Sequence, residues 1–259
     1  MPTLIHLSDL HFGPGYQLKV GRVILKDIET LQPDAVVISG DFTMRARQPE
    51  YESAREYLAQ ITRPTLVIPG NHDQPVHAPV ERLLTPYARY QKYISADKDT
   101  TLSAGDLFIS GLNDNHRILP GGFWSGRQRA WLAEQLVCAP RGAIKIVATH
   151  HQLSWEGKVR PAGFWFPDRT LSWLARSGVE VVLNGHTHVP HAVQSPEGIV
   201  VARAGTATSS RTRHGHGNAY NLITLDDKQI SVFVRLYDEH SDAFVAAQAY
   251  TFPRRPRPL

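Results

Sequence analysis

Short apolar runs recur along the chain, and each is closed by glycine, asparagine, aspartate or histidine. Runs of this length are typical of strands buried on both faces, and the stretches between them have helical periodicity. In the segment 50–61, for example, Tyr51, Ala54, Leu58 and Ile61 share one helical face. The alternation predicts an α/β fold. The predicted strands are 4–7, 35–39, 65–68, 107–110, 144–149 and 179–183, and the predicted helices are 20–31, 50–61, 81–94, 128–137 and 169–176.

The pattern changes after residue 190, where four apolar stretches follow one another without helices between them. These stretches are 199–202, 220–225, 230–236 and 243–251. Successive strands of this kind predict an antiparallel or mixed sheet. We therefore expect two sheets packed face to face, with the helices outside.

Length and charge favour one domain without a broad nucleic-acid-binding face. The 259 residues are 42% hydrophobic, which suffices for a sizeable core, and no linker or repeat marks a boundary. We place the domain at 1–252 and a Pro/Arg-rich tail at 253–259. Three tail arginines reduce the net charge of +4 to 4 − 3 = +1 for the domain. Because prolines interrupt the tail, we expect it to lack regular pairing and to be dispensable for catalysis.

The single cysteine and the first residues bear on the compartment. Cys138 excludes an internal disulfide, and its place in a predicted amphipathic helix favours a buried thiol. The first ten residues lack the basic and apolar regions of a signal peptide, and no run approaches the ~18 apolar residues of a membrane span. A cytoplasmic protein is the expectation.

Polar residues gather where the predicted strands end. In open α/β sheets, ligands bind beyond the carboxyl ends of the strands, so these residues are expected to converge at one edge. Asp9 and His11 are two residues apart, and His186 and His188 repeat this spacing, so each pair could grip one ion from an extended chain. The residues following the strands are Asp9, His11, Asp41, Asn71, His72, Asp73, His150, His151, His186 and His188.

This donor set indicates a metal centre. Nitrogen and oxygen donors without thiolate suit Mn, Fe or Zn, and their number exceeds the four of a single tetrahedral site, which favours two ions. If Asp41 bridges them, a shared water becomes a nucleophile near neutral pH. Each ending alone has an ordinary explanation: Gly40-Asp41 or Asn71 as a turn, Asp9 as a helix cap, a lone histidine as an edge residue. Because five strand endings in succession carry such residues, the metal centre is favoured over five separate ordinary explanations.

In these endings the sequence resembles the calcineurin-like metallophosphoesterases. The family order of D-x-H, G-D, G-N-H-D, H and G-H-x-H is matched over about three quarters of the chain. The resemblance implies a four-layer α/β/β/α sandwich. It also implies a first metal on Asp9, His11 and His188, a second on Asn71, His150 and His186, and Asp41 as the bridge. His72 would contact the substrate phosphate or the leaving oxygen, and Asp73 would orient the His72 ring.

The residues 6–13, 128–132 and 205–210 resemble the bacterial branch that includes class III cyclic-nucleotide phosphodiesterases. Many members of that branch carry His-His-Pro-Pro, whereas Gln152 follows His151 here. We take His150 as the ligand because it directly ends the strand, and His151 as a contact behind the ligands or to substrate. Arg211 is a candidate phosphate contact, with a solvated loop charge as the alternative. The aromatic segment 155–166 could form a substrate wall, a lid or a dimer contact.

The resulting interpretation is a dinuclear metal-dependent phosphohydrolase. We expect a phosphodiesterase acting on cyclic nucleotides or other small phosphodiesters through a metal-bridging hydroxide. A phosphomonoesterase, a lipid-precursor pyrophosphate hydrolase and a catalytically silent protein-binding scaffold are the alternatives. Among partners, a small phosphodiester is expected and a homodimer stays open. No nucleic-acid partner and no membrane span are expected.

Overall fold

Two mixed six-stranded sheets lie face to face in the computed structural model, which describes residues 1–153 and 163–255. This arrangement confirms the α/β class and the four-layer sandwich. The strands are β1 Thr3–Leu7, β2 Ala35–Ile38, β3 Thr65–Val67, β4 Thr100–Ala104, β5 Leu107–Gly111, β6 Ile144–Ala148, β7 Val179–Asn184, β8 His191–Gln194, β9 Val200–Arg203, β10 Ala219–Leu225, β11 Gln229–Asp238 and β12 Ala243–Pro253. The helices are α1 Leu18–Leu31, α2 Gln48–Leu58, α3 Pro79–Leu84, α4 Ala88–Tyr93, α5 Gly126–Cys138 and α6 Pro167–Arg176, with a short 3₁₀ helix at Asn71–Asp73.

The strand order brings the two ends of the chain into one sheet. The first sheet has the order β12-β11-β10-β1-β2-β3, and the second has the order β4-β5-β6-β7-β9-β8. The strands β1, β2 and β3 run parallel, as do β5, β6, β7 and β9. The late strands β10, β11 and β12 form an antiparallel set beside β1, as the change of pattern after residue 190 predicts.

Three apolar clusters hold the layers together. One lies between the sheets, where Val37 of the first sheet and Ile146 of the second are fully buried. A second joins the first sheet to the helices on its outer face, and a third does the same for the second sheet through Leu132 and Leu171. Removal of this apolar surface from water is the main stabilising contribution to such a sandwich. Among the described residues, no helix has the length and apolarity needed to cross a bilayer.

Two strands and one helix break are not anticipated by the sequence patterns. The strand β4 is rich in threonine and serine and only partly buried, and β8 is four residues long, so neither forms a clear apolar run. The predicted helix 81–94 is two helices, α3 and α4. Pro86 lies between them, and a proline disfavours helical backbone in the residue before it and removes a backbone donor.

The prediction that Cys138 is buried is wrong. The buried residues of α5 are Leu132 and Leu136, whereas Cys138 is exposed. Because each residue advances about 100° around a helix, Cys138 lies roughly 200° from Leu136 and faces solvent. It is also the last residue of the helix.

The expectation of an unpaired tail is wrong for its first residues. Pro253 ends β12 in register with Gln229, and the backbone N–H of Arg254 donates to the Lys228 carbonyl. The Arg254 guanidinium is buried and forms a two-pronged ion pair with Glu180 of β7, with Nη2 2.8 Å from Oε1. This contact ties the end of the first sheet to the second sheet. The tail residues 256–259 lie outside the described residues.

Candidate metal centre

The five strand endings meet at one edge of the two sheets. Asp9 and His11 follow β1, Asp41 follows β2 and Asn71 follows β3, all from the first sheet. His150 follows β6, and His186 and His188 follow β7, from the second sheet. The sandwich thus brings all seven predicted ligands together from both of its sheets.

Asp9, His11 and His188 form a first buried cluster. The Oδ1 atom of Asp9 lies 3.1 Å from Nε2 of His188 and 3.6 Å from Nε2 of His11. The two Nε2 atoms lie 3.1 Å from each other. The side-chain atoms of these three residues can all present donors to one point, so the cluster has the geometry of a cation site.

A second cluster lies beside the first, and Asp41 lies between them. The Asn71 side-chain oxygen is 3.0 Å from Nε2 of His150 and 2.9 Å from Nδ1 of His186. The Oδ2 atom of Asp41 is 3.4 Å from Nε2 of His150 and 3.7 Å from Nε2 of His11. One carboxylate oxygen therefore faces a histidine of each cluster.

Backbone carbonyls fix three of the imidazole rings. The Nδ1–H groups of His150, His188 and His11 donate to the carbonyls of Ser39, Arg211 and Thr43 at 2.7, 2.5 and 3.3 Å. A carbonyl only accepts, so each Nδ1 carries a proton and each Nε2 faces the site. Hydrogen bonds of this kind set the tautomer and orientation of metal-binding histidines.

The expectation of an extended chain at the Asp9/His11 and His186/His188 pairs is wrong, and His186 and His188 lie in different clusters. Five of the seven predicted ligands have φ between 52° and 66°, in the left-handed region: Asp9, His11, Asp41, His186 and His188. Aspartate and histidine tolerate this region better than bulky residues do, yet each such residue still costs about 1–2 kcal/mol. A Cβ on Gly40 would lie 2.7 Å from the His150 ring, and one on Gly185 would lie 2.6 Å from Asp9 Oδ2. These two glycines leave room for the ligands.

The buried charges shift the pKa values of the cluster strongly. Burial alone would raise the pKa of Asp9, but the facing His188 and His11 outweigh burial and hold it well below its usual range. Burial would likewise lower the pKa of His150, yet the Asp41 carboxylate raises it to about 10. For His186, burial and the neighbouring His151 and His150 lower the pKa to about 3. Carboxylates in their charged form thus meet imidazoles at the point where a cation would sit.

His72 lies at the rim of this site, but Asp73 does not hold its ring. The His72 ring packs edge-on against His11 at a centroid distance of 4.9 Å, and its Nδ1–H donates to the Met44 carbonyl at 2.8 Å. The Asp73 carboxylate accepts the backbone N–H groups of Phe42, Thr43 and Gly70. The expectation that Asp73 orients the His72 ring is therefore wrong: it holds the backbone of the loop that carries Asp41.

His151 is buried behind the second cluster. Its ring lies 4.5 Å from the His186 ring, and its Nδ1 atom lies 3.3 Å from Oδ2 of Asp114. Asp114 is fully buried and accepts the backbone N–H groups of both His150 and His151 at 3.3 and 2.9 Å. The contact of Asp114 with these histidines cannot be predicted from the sequence, because Asn113-Asp114-Asn115 is typical of a turn.

The aromatic residues proposed for a wall or lid divide into two groups. Phe164 is buried against Trp124 in the core on the outer face of the second sheet, with ring centroids 5.0 Å apart. Trp165 and Phe166 are exposed, and Trp165 stacks on Phe123. Trp155 lies outside the described residues.

The donor set itself tests whether metal ions fit. The Oδ1 atom of Asp9 is buried without a hydrogen-bond partner, and the Nε2 atoms of His11 and His188 face it and each other. A buried carboxylate oxygen without a hydrogen-bond partner is costly. A divalent cation on these nitrogens and oxygens removes that cost, and imidazole with carboxylate is a donor set for Zn, Fe or Mn. The residues therefore fit a metal.

Comparison with known proteins gives a family and a partial relative. The sequence profile of the calcineurin-like phosphoesterases matches residues 2–190. A curated relative, the glycerophosphodiester phosphodiesterase GpdQ of Enterobacter lignolyticus, is 38% identical over 80 residues. That alignment covers 27% of this chain and 29% of the relative, so the chain matches less than a third of the relative's length.

Solved structures share the fold at low sequence identity. The purple acid phosphatase PPD1 from yellow lupin matches with a TM-score of 0.73 and 13% identity over 97% of this chain and 53% of its own. A dimetal phosphatase from Danio rerio matches with a TM-score of 0.68 and 14% identity, over 98% of this chain and 99% of its own. Vps29 from Chaetomium thermophilum has a TM-score of 0.54 at 14% identity, over 98% of this chain and 100% of its own. At such identities the likeness establishes the fold alone.

Proposed function

This chain belongs to the calcineurin-like phosphoesterase family, and from that premise we propose that it is a dinuclear metal-dependent phosphodiesterase. The observation that carries the proposal is the position of Asp41. Its Oδ2 atom lies within 3.4 and 3.7 Å of a histidine nitrogen from each of the two donor clusters. A single carboxylate between two donor sets is what a bridged pair of cations requires.

The proposed ligands follow the two clusters. Asp9, His11 and His188 would hold one ion, Asn71, His150 and His186 would hold the other, and Asp41 would bind both. Mn, Fe and Zn are the proposed metals, since the donors are imidazole, carboxylate and amide. When bound, two such cations neutralise phosphate oxygens and lower the pKa of coordinated water. The protein holds the ligand rings in place through the carbonyls of residues 39, 43 and 211.

His72 acts on the substrate in this proposal. Its Nδ1–H is committed to the Met44 carbonyl, which leaves Nε2 for the cavity next to the metal site. A protonated Nε2 there donates to the leaving oxygen as the phosphorus–oxygen bond breaks. Asn71, His151 and Arg211 are the other proposed substrate contacts. Of these, His151 is the most buried, and Arg211 is exposed at the cavity.

Small phosphodiesters are the proposed substrates, with cyclic nucleotides and glycerophosphodiesters as the classes to compare. The relative GpdQ, named a glycerophosphodiester phosphodiesterase, supports diester over monoester hydrolysis. A catalytically silent protein-binding scaffold is the second candidate function, because a fold shared at 14% identity, as with Vps29, does not by itself establish catalysis. The complete donor set, with five ligands held in left-handed backbone, favours catalysis over that reading.

A reconstitution experiment tests the proposal. Protein freed of metal by a chelator and reloaded with Mn²⁺, Fe²⁺ or Zn²⁺ is assayed with bis(4-nitrophenyl) phosphate, 4-nitrophenyl phosphate, cyclic AMP and glycerophosphoethanolamine. We expect activity only after metal is restored, and higher kcat/KM for a diester than for the monoester. Retention of two metal ions per chain without hydrolysis of any ester would favour the scaffold.

A further inference from the structure

An open cavity of about 580 Å³ is lined by His72 and by none of the proposed metal ligands. Pro14, Met44 and Val76 supply apolar surface to it, and Arg45, Arg211 and His77 are the other residues that line it. None of the described residues that line it is acidic. Because His72 lies between the metal site and this cavity, a leaving group whose oxygen meets His72 extends into the cavity.

Arg211 is held at the cavity by contacts of both its backbone and its side chain. Its backbone carbonyl accepts the Nδ1–H of His188, and its Nη1 atom lies 3.3 Å from the sulfur of Met44. A thioether is a weak acceptor, so most of the guanidinium donors stay available. The arginine is thus fixed to a proposed metal ligand at one end and directed along the cavity wall at the other.

Arg45 lies on the loop after β2, and its backbone is also held next to the metal site. The Met44 carbonyl, immediately before it, holds the His72 ring, and the Arg45 backbone N–H donates to the buried Glu50 carboxylate at 2.8 Å. Glu50 is thereby engaged with backbone donors. Within the described ranges 1–153 and 163–255, neither the Arg45 nor the Arg211 guanidinium takes part in an ion pair.

We propose that Arg45 and Arg211 select substrates whose leaving group carries a second anion, such as a carboxylate or a further phosphate. The apolar wall contacts the carbon skeleton between the phosphorus centre and that anion, and the two guanidinium groups bind the anion by charge-assisted hydrogen bonds. Leaving groups with a cationic end, such as choline, are disfavoured by the same two charges. This inference rests on the proposed phosphodiesterase function and specifies its substrate class.

Three methyl aryl phosphates separate the inference from the proposed function. Their leaving groups are 4-methylphenol, 4-carboxymethylphenol and 4-aminomethylphenol, which differ mainly in distal charge. We expect the metal-loaded protein to hydrolyse the carboxylate ester with about 10-fold higher kcat/KM than the neutral ester, and the ammonium ester more slowly than either. The preference should shrink at high salt, because both arginines are exposed.

Arginine variants identify the source of the preference. Arg45→Gln and Arg211→Gln should each reduce it, and the double variant should hydrolyse the three esters at nearly equal kcat/KM with unchanged metal content. Arg141→Gln, at an exposed position outside the cavity, should keep it. Equal rates for the neutral and carboxylate esters in the parent protein, or an equal loss for all three esters in the double variant, would overturn the inference while leaving the proposed function in place. Failure to hydrolyse any of the three would remove both.

Discussion

Asp73 follows His72 directly in the sequence, yet its carboxylate serves the neighbouring loop backbone while the His72 imidazole is held by the Met44 carbonyl. The two residues therefore have separable effects. His72→Ala should retain both metal ions and lower kcat by about 10²–10⁴-fold for esters of alkyl alcohols. Esters of acidic phenols should lose less, because their leaving oxygens need little protonation. Steady-state kinetics over a series of leaving groups, with metal analysis, tests this.

The companion change, Asp73→Asn, should behave differently. It weakens the acceptor for three backbone N–H groups, so we expect a loss of about 1–3 kcal/mol in the free energy of unfolding. The dependence of kcat on the leaving group should match that of the parent protein. A steeper dependence in Asp73→Asn would show that this residue acts through the His72 ring after all.

Asp41→Asn should lose at least one metal ion together with activity. The amide removes the shared negative charge, which leaves two cations facing each other with less compensation. We expect kcat/KM to fall by at least about 100-fold, since even changes behind the ligands cost about 10–100-fold. Asp97→Asn, at an exposed position, is the matched control. Elemental analysis that finds two metal ions retained in Asp41→Asn would contradict the bridge.

The ion pair between Arg254 and Glu180 predicts that chains truncated just before and just after Arg254 will differ in stability. A chain ending at Pro253 lacks Arg254 and leaves Glu180 buried without its partner, which should lower the free energy of unfolding by about 3–5 kcal/mol. A chain ending at Arg255 keeps the ion pair and should be as stable as the full chain. Urea unfolding at neutral pH measures the difference. Equal stability of the two truncated chains would show that the buried pair contributes nothing.

The buried His6 side chain is expected to lower the folding stability of the protein at acidic pH. Burial lowers its pKa from 6.5 to about 3, despite the opposing effect of Asp9. Between these values the unfolded chain binds a proton that the folded chain does not, so stability falls as pH decreases, by up to about 1.4 kcal/mol per pH unit. His6→Gln should therefore have a shallower decline than the parent protein between pH 6.5 and 4.5. The exposed His240→Gln is the control, and parallel curves for parent and His6→Gln would contradict the assignment.

The sequence patterns anticipate the site better than the periphery. Asp9, Asp41, Asn71, His150 and His186 can be predicted to meet because each follows a buried parallel strand, and parallel strands end at a common edge. The partners of these residues cannot be predicted in the same way. Backbone carbonyls that hold the rings, such as those of Ser39 and Met44, carry no sequence signal, since every residue has one.

Long-range polar contacts are also hidden from local patterns. Arg254 and Glu180 are 74 residues apart, and each alone is typical of a solvated surface charge. The tail prolines suggest a disordered end, although Pro253 occupies an edge strand, where a missing donor is tolerated. The predicted burial of Cys138 is wrong for a simpler reason. Residues three or four positions apart share a buried helical face, whereas Cys138 is two positions from Leu136.

The left-handed backbone at five proposed ligands has a consequence for laboratory evolution. Glycine at Asp9, His11, Asp41, His186 or His188 would adopt the same φ without a Cβ penalty, while removing a ligand atom. A selection for thermal stability without added metal should therefore enrich glycine at these positions, and the enriched variants should lose catalytic activity. A selection that couples stability to phosphodiester hydrolysis opposes the same replacements. The ranking of these five sites in two parallel libraries would thus measure how much folding stability the proposed metal site costs the protein.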